Sequence, residues 1–287
     1  MKLGEIKHFI IRLKSFISKP RVIVQSKYVV LNDSDYCQNP IMVFGIHRSG
    51  TSLFRRILNS HSSISCPPES YFFERFVRMA GDDDIEAGLA GFGYGDRESF
   101  LNEIRKWMTI YHEANLKADG KSRWADKTPQ YVHCADEIMA LLPSGAQSIL
   151  VYRHPFDIIY SIYDRGWRFG EYDSDLFKNT VLYVRDSYLK LLDFEDKYNC
   201  YSFRYEDLTA DPKGILRGVF EFLGEEWEEQ VLNYNEKKHN LGTEDPVVAG
   251  AKGFFSNNEK WKMLDQDKIE FMLLSFDGLL SRKGYEK

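Results

Sequence analysis

IMVFGIHRSGTSLFRRIL, residues 41–58, reads as a buried strand, a glycine-bracketed turn and the start of a helix. Ile41-Met42-Val43-Phe44 is a short, continuous apolar run, the pattern of a strand covered on both faces. Gly45 and Gly50 bracket the turn, and a helix-length segment follows from Leu53 to Asn59. Backbone N–H groups at such a helix start lack intrahelical acceptors and carry the positive end of the macrodipole, so they bind anions. The two glycines are spaced as in a Walker A loop, but Thr51-Ser52 stands where Lys-Ser or Lys-Thr would be. The lysine that reaches the terminal phosphates of ATP is therefore absent, and Arg48 comes earlier in the loop.

The same pattern recurs outward from this segment. Ser148-Ile149-Leu150-Val151-Tyr152 ends in Arg153-His154-Pro155, and Tyr201 to Tyr205 gives a further run. A weaker run, Arg123-Trp124-Ala125, leads into Asp126-Lys127-Thr128-Pro129. Helix-length patterns lie between them, at 130–142, 156–165 and 175–198. Strands alternating with helices predict right-handed crossovers, hence an α/β, P-loop-like three-layer sandwich with a central, mostly parallel sheet flanked by helices. Ligands in such sheets sit beyond the carboxyl ends of the strands.

The second strand narrows the chemistry. A nucleoside triphosphatase commonly places a magnesium-binding acid at a strand end, whereas here the strand runs into Arg153. A guanidinium suits direct pairing with an anion and opposes a metal ion. Ser161 and Arg165 follow at four-residue spacing on one helix face, so Arg153, Ser161 and Arg165 can grip a second phosphate. The plainer alternative pairs Arg153 with Asp157 or Asp164.

Composition bounds the remainder. The 287 residues are 43% apolar and 28% charged, with a formal net charge of −5, which argues against a nucleic-acid partner. Four scattered cysteines (Cys37, Cys66, Cys134, Cys200) and seven histidines show no ligand spacing, so neither a disulfide framework nor a metal site is expected. No apolar run reaches the ~18–20 residues of a membrane span. Arg12 and Lys14 interrupt the N-terminal apolar run, and no small-residue cleavage site follows, which disfavours a signal peptide. Residues 1–38 read instead as a basic amphipathic extension to a domain over 39–287. Its first 19 residues suit a helix on an anionic membrane surface, or one packed on the domain or a neighbouring subunit. The expected location is cytoplasmic, with membrane association through that helix left open. Residues 79–122 read as a helical insertion, either a substrate lid or a structural excursion.

Three segments together resemble the sulfotransferase superfamily that uses 3′-phosphoadenosine 5′-phosphosulfate (PAPS), in the branch of tyrosylprotein, heparan-type and bacterial enzymes. They are GIHRSGTSLFRRIL (45–58), VYRHPFDIIYSIYDR (151–165) and FRYEDLTADPKGILRGVFEFLG (203–224). The resemblance covers roughly residues 40–262. It implies sulfuryl transfer from PAPS to a hydroxyl or amine, releasing adenosine 3′,5′-bisphosphate (PAP), with no metal required. It assigns the 5′-phosphosulfate to Arg48, Ser49, Gly50, Thr51 and Ser52, and the 3′-phosphate to Arg153 and Ser161. Arg165 matches a third ligand of the tyrosylprotein branch, and Tyr205 a tyrosine near the nucleotide. Glu69, twenty-one residues after Arg48, falls where that branch carries its catalytic glutamate, and Lys127 matches the family lysine near the transferring group.

Without the resemblance, Glu69 reads as a helix-start acid and Lys127 as the partner of Asp126 or another acid. The cytosolic branch's histidine after Lys-Thr is replaced by Pro129. Asn257-Asn258-Glu259-Lys260-Trp261 only partly matches the family's Ser-Lys-Trp nucleotide loop, which leaves Ser256 and Lys260 as the candidates there. Tyr71, Phe72, Phe73 and Phe76 suit either an acceptor cleft or the core. The acceptor can be a carbohydrate, lipid, peptide or small molecule. The competing readings are a nucleotide kinase with a degenerate loop and a non-catalytic nucleotide-binding protein.

Overall fold

The computed structural model describes residues 36–93, 96–237, 253–254 and 259–286. These belong to a compact unit spanning Ser34–Lys287. The amphipathic stretch 1–19 and Ser256 lie outside the described residues.

Five parallel strands form the centre: β1 (Ile41–Gly45), β2 (Ile64–Ser65), β3 (Arg123–Lys127), β4 (Gln147–Tyr152) and β5 (Cys200–Arg204), in the order β2-β3-β1-β4-β5. Side-chain alternation along the strands builds the layers. Met42, Phe44, Trp124, Leu150 and Tyr152 pack into one core, while Ile41, Val43, Ala125, Ile149 and Val151 pack into the other. The sheet is therefore covered on both sides, as the apolar runs predict, and the three-layer α/β sandwich is the fold.

The chain leaves β1 toward β3 on one side and returns to β4 on the other. The end of β1 is thus the switch point where open parallel sheets hold ligands. Register sharpens this placement. Val43 lies opposite Lys127 and Gly45 opposite Val151, so Lys127 and Arg153 flank the turn after β1 from its two neighbours.

Helix α1 (Thr51–Ser60) follows that turn. Helices α2 (Phe73–Ala80), α3 (Asp83–Ala90) and α4 (Arg97–Asp119) occupy most of the 79–122 stretch. α4 buries Phe100, Ile104 and Met108 in the core and closes with Gly120 in the left-handed conformation. His112 on α4 lies 2.7 Å from the Asp126 carboxylate, and Trp124 Nε1 donates to Glu113 at 2.7 Å. The stretch thus braces β3 from one side. A 3₁₀ turn (Pro129–Cys134) and α5 (Ala135–Leu141) lead to β4.

Helix α6 (Pro155–Tyr163) starts at Pro155, which has no N–H to leave unpaired. α7 (Leu176–Lys197) is capped by Asp175, whose carboxylate accepts from Lys178 N. After β5 come α8 (Tyr205–Ala210), α9 (Pro212–Leu223) and α10 (Gln266–Ser275). Tyr205, expected as the end of a strand, begins α8 instead, because Arg204 already serves as that helix's N-cap.

Candidate active site

The turn after β1 is tight because Gly45 has no side chain. A Cβ there would lie 2.6 Å from Thr51 Cγ2 and 2.9 Å from the Val151 carbonyl oxygen. Ser49 N donates to the Ile46 carbonyl at 3.0 Å, and Gly50, at φ 95°, caps α1. A Cβ on Gly50 would reach 2.3 Å from the Tyr205 ring, so only glycine fits both the backbone and the neighbour. Arg48 adopts φ 71°, a left-handed conformation that costs a non-glycine residue energy and recurs at functional sites. The Ser49 hydroxyl is fully buried and has no hydrogen-bond partner. Buried polar groups are seldom left so. An anion seated in the turn is the kind of partner this hydroxyl calls for.

The end of β4 joins the same site. Arg153 Nη1 donates to the Arg48 carbonyl at 2.9 Å, and its guanidinium lies 5.0 Å from the centre of the Tyr205 ring. The alternative of a local acid partner meets Asp157, but that carboxyl is buried on α6. Burial raises it to about 6, while the nearby Arg153 charge acts in the opposite direction. Ser161 Oγ accepts from Arg48 Nε at 3.1 Å and from Arg165 Nη1 at 3.0 Å. Three guanidiniums therefore converge on the turn. Burial, followed by the charges of Arg165 and Arg153, pulls Arg48 down to about 10. It remains charged at neutral pH.

Lys127 ends β3 on the other flank. Its side chain is 2% exposed, pairs with the Glu69 carboxylate and donates to Ser52 Oγ at 3.3 Å. Asp126 points to the opposite face, where it meets His112 and accepts from Thr128 Oγ1 at 3.0 Å. The Lys127–Asp126 alternative therefore fails on strand alternation. Glu69 stands four residues before α2, not in its first turn, and also accepts from the Tyr71 hydroxyl.

Its segment is fixed to the 3₁₀ turn. Ser70 N donates to Thr128 Oγ1 at 3.0 Å, Phe73 N donates to the Tyr131 hydroxyl at 2.9 Å, and the Phe73 and Tyr131 rings stack at 5.5 Å. Tyr71 takes the left-handed φ of 59° at the bend. Among the aromatic residues after Glu69, Tyr71 faces the cavity, Phe73 is core, and Phe72 and Phe76 pack against the core.

These elements surround a cavity of about 840 Å³, lined among others by Arg48, Thr51, Ser52, Glu69, Lys127 and Arg165. Among the described residues of 79–122, none lines it. Arg153 and Tyr205 stand behind the turn rather than on the cavity wall, and Lys260 is exposed on the 3₁₀ turn Lys260–Met263. Among the described residues no group of three His, Cys, Asp or Glu side chains has metal-ligand geometry, and no helix is long and apolar enough to cross a membrane.

The sequence reading did not single out Arg55, Gln130 or the Gly166–Phe169 turn, all of which line the cavity. His47 also lines it, and its Nδ1 lies 2.7 Å from the Tyr183 hydroxyl. Burial, then the charges of Lys127, His133 and Arg48, push the imidazole down to about 3, so it is neutral at physiological pH.

Fold and site together define an α/β protein whose glycine turn after β1 opens on a pocket lined by Arg48, Lys127 and Arg165, with Arg153 at the end of β4 joined to the turn from behind. A family model described as the sulfotransferase family matches residues 40–229, and the chain belongs to that family. Among curated relatives, the nodulation protein NoeE of Sinorhizobium fredii is 34% identical over 134 residues, covering 43% of this chain and 31% of that protein. Protein-tyrosine sulfotransferase A of Caenorhabditis elegans is 24% identical over 222 residues, covering 72% of this chain and 56% of that protein. The chain thus spans between about a third and a little over half of these relatives' length.

Two solved structures share the fold. The sulfotransferase domain from the curacin biosynthetic pathway has a TM-score of 0.59 at 19% identity, covering 86% of this chain and 98% of that one. The sulfotransferase domain of the Synechococcus PCC 7002 olefin synthase has a TM-score of 0.56 at 23% identity, covering 83% and 95%.

Proposed function

We propose that the protein transfers the sulfuryl group of PAPS to a hydroxyl or amine acceptor, releasing PAP. The observation that carries this reading is the joining of the two cationic sets. Arg153 donates into the phosphate turn at 2.9 Å, and Ser161 accepts from both Arg48 and Arg165. One bisphosphorylated nucleotide fits such a pair of anion sites at neighbouring strand ends. The turn 48–52 would hold its 5′-phosphosulfate, and Arg153, Ser161 and Arg165 its 3′-phosphate, with Tyr205 beside it. The orphaned Ser49 hydroxyl and the mutual repulsion of the guanidiniums support the fit.

In this reading Glu69 accepts the proton that the acceptor hydroxyl loses as its oxygen bonds sulfur. Lys127, Arg48 and the first amides of α1 balance the charge gained by the bisphosphate as the sulfur–oxygen bond to it breaks. The Lys127–Glu69 pair links the two events. Protonation of Glu69 removes its charge and turns the Lys127 ammonium toward the leaving oxygen. The cations take the part that magnesium plays in kinases, so no metal is needed. The acceptor occupies the cavity beside Glu69.

A charge-assisted hydrogen bond to phosphate contributes about 1.5–3 kcal/mol. Arg153→Ala should therefore weaken PAP binding by roughly ten- to a hundredfold in calorimetry, since ~1.4 kcal/mol is tenfold. Equal affinities for variant and wild type would remove Arg153 from the site.

A further inference from the structure

The turn between α6 and α7 carries two aromatic residues that the donor reading leaves unused. Gly166 and Gly170, at φ 63° and 64°, bracket Trp167-Arg168-Phe169. This turn is firmly built. Gly166 N donates to the Tyr163 carbonyl at 2.9 Å, and Asn179 Nδ2 of α7 donates to the Phe169 carbonyl at 3.1 Å. The Phe169 ring stacks on His47 at 4.0 Å and on Tyr183 at 5.1 Å, tying the turn to the phosphate loop. Trp167 is then held at the cavity while still 41% exposed. Its ring centre lies 5.8 Å from the Arg48 guanidinium and 5.5 Å from that of Arg165.

Arg48 and Arg165 share one acceptor, Ser161 Oγ, and repel each other there. An aromatic face attracts cations through its quadrupole, and one indole beside both guanidiniums opposes their separation. The geometry points to Trp167 as a positioning residue that holds Arg48 and Arg165 together for the bisphosphate while its open surface forms part of the acceptor wall. This inference rests on the donor reading above. Preorganised cations lose less freedom when the anion binds, so the residue acts on affinity without touching sulfur. The bisphosphate, once bound against the same two guanidiniums, changes the charge around the indole while the cation–π contacts persist.

Calorimetry with PAP and tryptophan emission during the same titration test it, on wild type, Trp167→Ala and Trp167→Phe, with thermal melts as a folding control. Trp167→Ala should bind PAP about five- to thirtyfold more weakly, a loss of about 1–2 kcal/mol at ~1.4 kcal/mol per tenfold. Trp167→Phe should recover most of that loss. The PAP-dependent emission change of wild type should vanish in Trp167→Phe, which keeps the four other tryptophans and loses only the indole beside the two guanidiniums. A residue that merely supports the fold would lower the melting temperature and leave that emission change intact. Unaltered affinity in Trp167→Ala overturns the inference, as does an unaltered emission change in Trp167→Phe. Should Trp167→Ala not fold, the emission arm decides. Wild type that takes up no PAP fails the donor reading itself, and the inference with it, before any variant is compared.

Discussion

Glu69→Gln should lower the rate of sulfuryl transfer by about 10²–10⁴ while leaving PAP affinity within about twofold. The glutamine keeps the volume and one hydrogen-bond acceptor toward Lys127 and Tyr71, but cannot take a proton. Loss of rate therefore reports the chemistry rather than the packing. The carboxylate sits on a segment whose backbone N–H groups donate to the Thr128 and Tyr131 hydroxyls, so the substitution has little leverage on the surrounding frame. Single-turnover assays with ³⁵S-labelled donor separate the two quantities. A rate near that of wild type would move the base to another group. Neutral His47, already on the cavity wall, would be the first to test.

Lys127→Ala should cost about 10²–10³ in rate, the range for removing one preorganised donor to developing negative charge. Its effect has a second source. Lys127 is buried against Glu69, and removing one member of a buried pair destabilises by up to about 3–5 kcal/mol. The Glu69 side chain is 17% exposed, so water softens that penalty. Melting curves should accompany the kinetics. If the pair acts as a unit, Glu69→Gln combined with Lys127→Ala should be little slower than the worse single variant. Multiplicative losses would mean that the two side chains act independently.

The parts of the site that were legible in the sequence share a physical signature. β1 and β4 are continuous apolar runs ending in a glycine turn and in Arg153, so strand ends and their chemistry were visible together. Ser161 and Arg165 followed from helical spacing once Pro155 marked the start of α6. β2 has two residues and carries no readable periodicity. Glu69 and Lys127 were found through the family resemblance, since neither the loop after β2 nor a single strand-end lysine states a partner. Their pairing depends on β3 lying beside β2, which is topology rather than local pattern.

The Trp167–Phe169 turn was missed for a similar reason. Its role comes from contacts with His47, Arg48 and Tyr183 made across distant stretches of chain. The available hint was a pair of glycines, Gly166 and Gly170, enclosing two aromatic residues directly after the helix that carries Ser161.

The central claim is that two cationic sites at the ends of β1 and β4 embrace one nucleotide carrying phosphates at both 3′ and 5′ positions. Calorimetric titration in a chelator, comparing PAP with adenosine 5′-phosphate, tests it most directly. The two ligands differ by the 3′-phosphate alone. Binding of PAP at least tenfold tighter than adenosine 5′-phosphate is the predicted result. Equal affinities, or binding of neither, would contradict it.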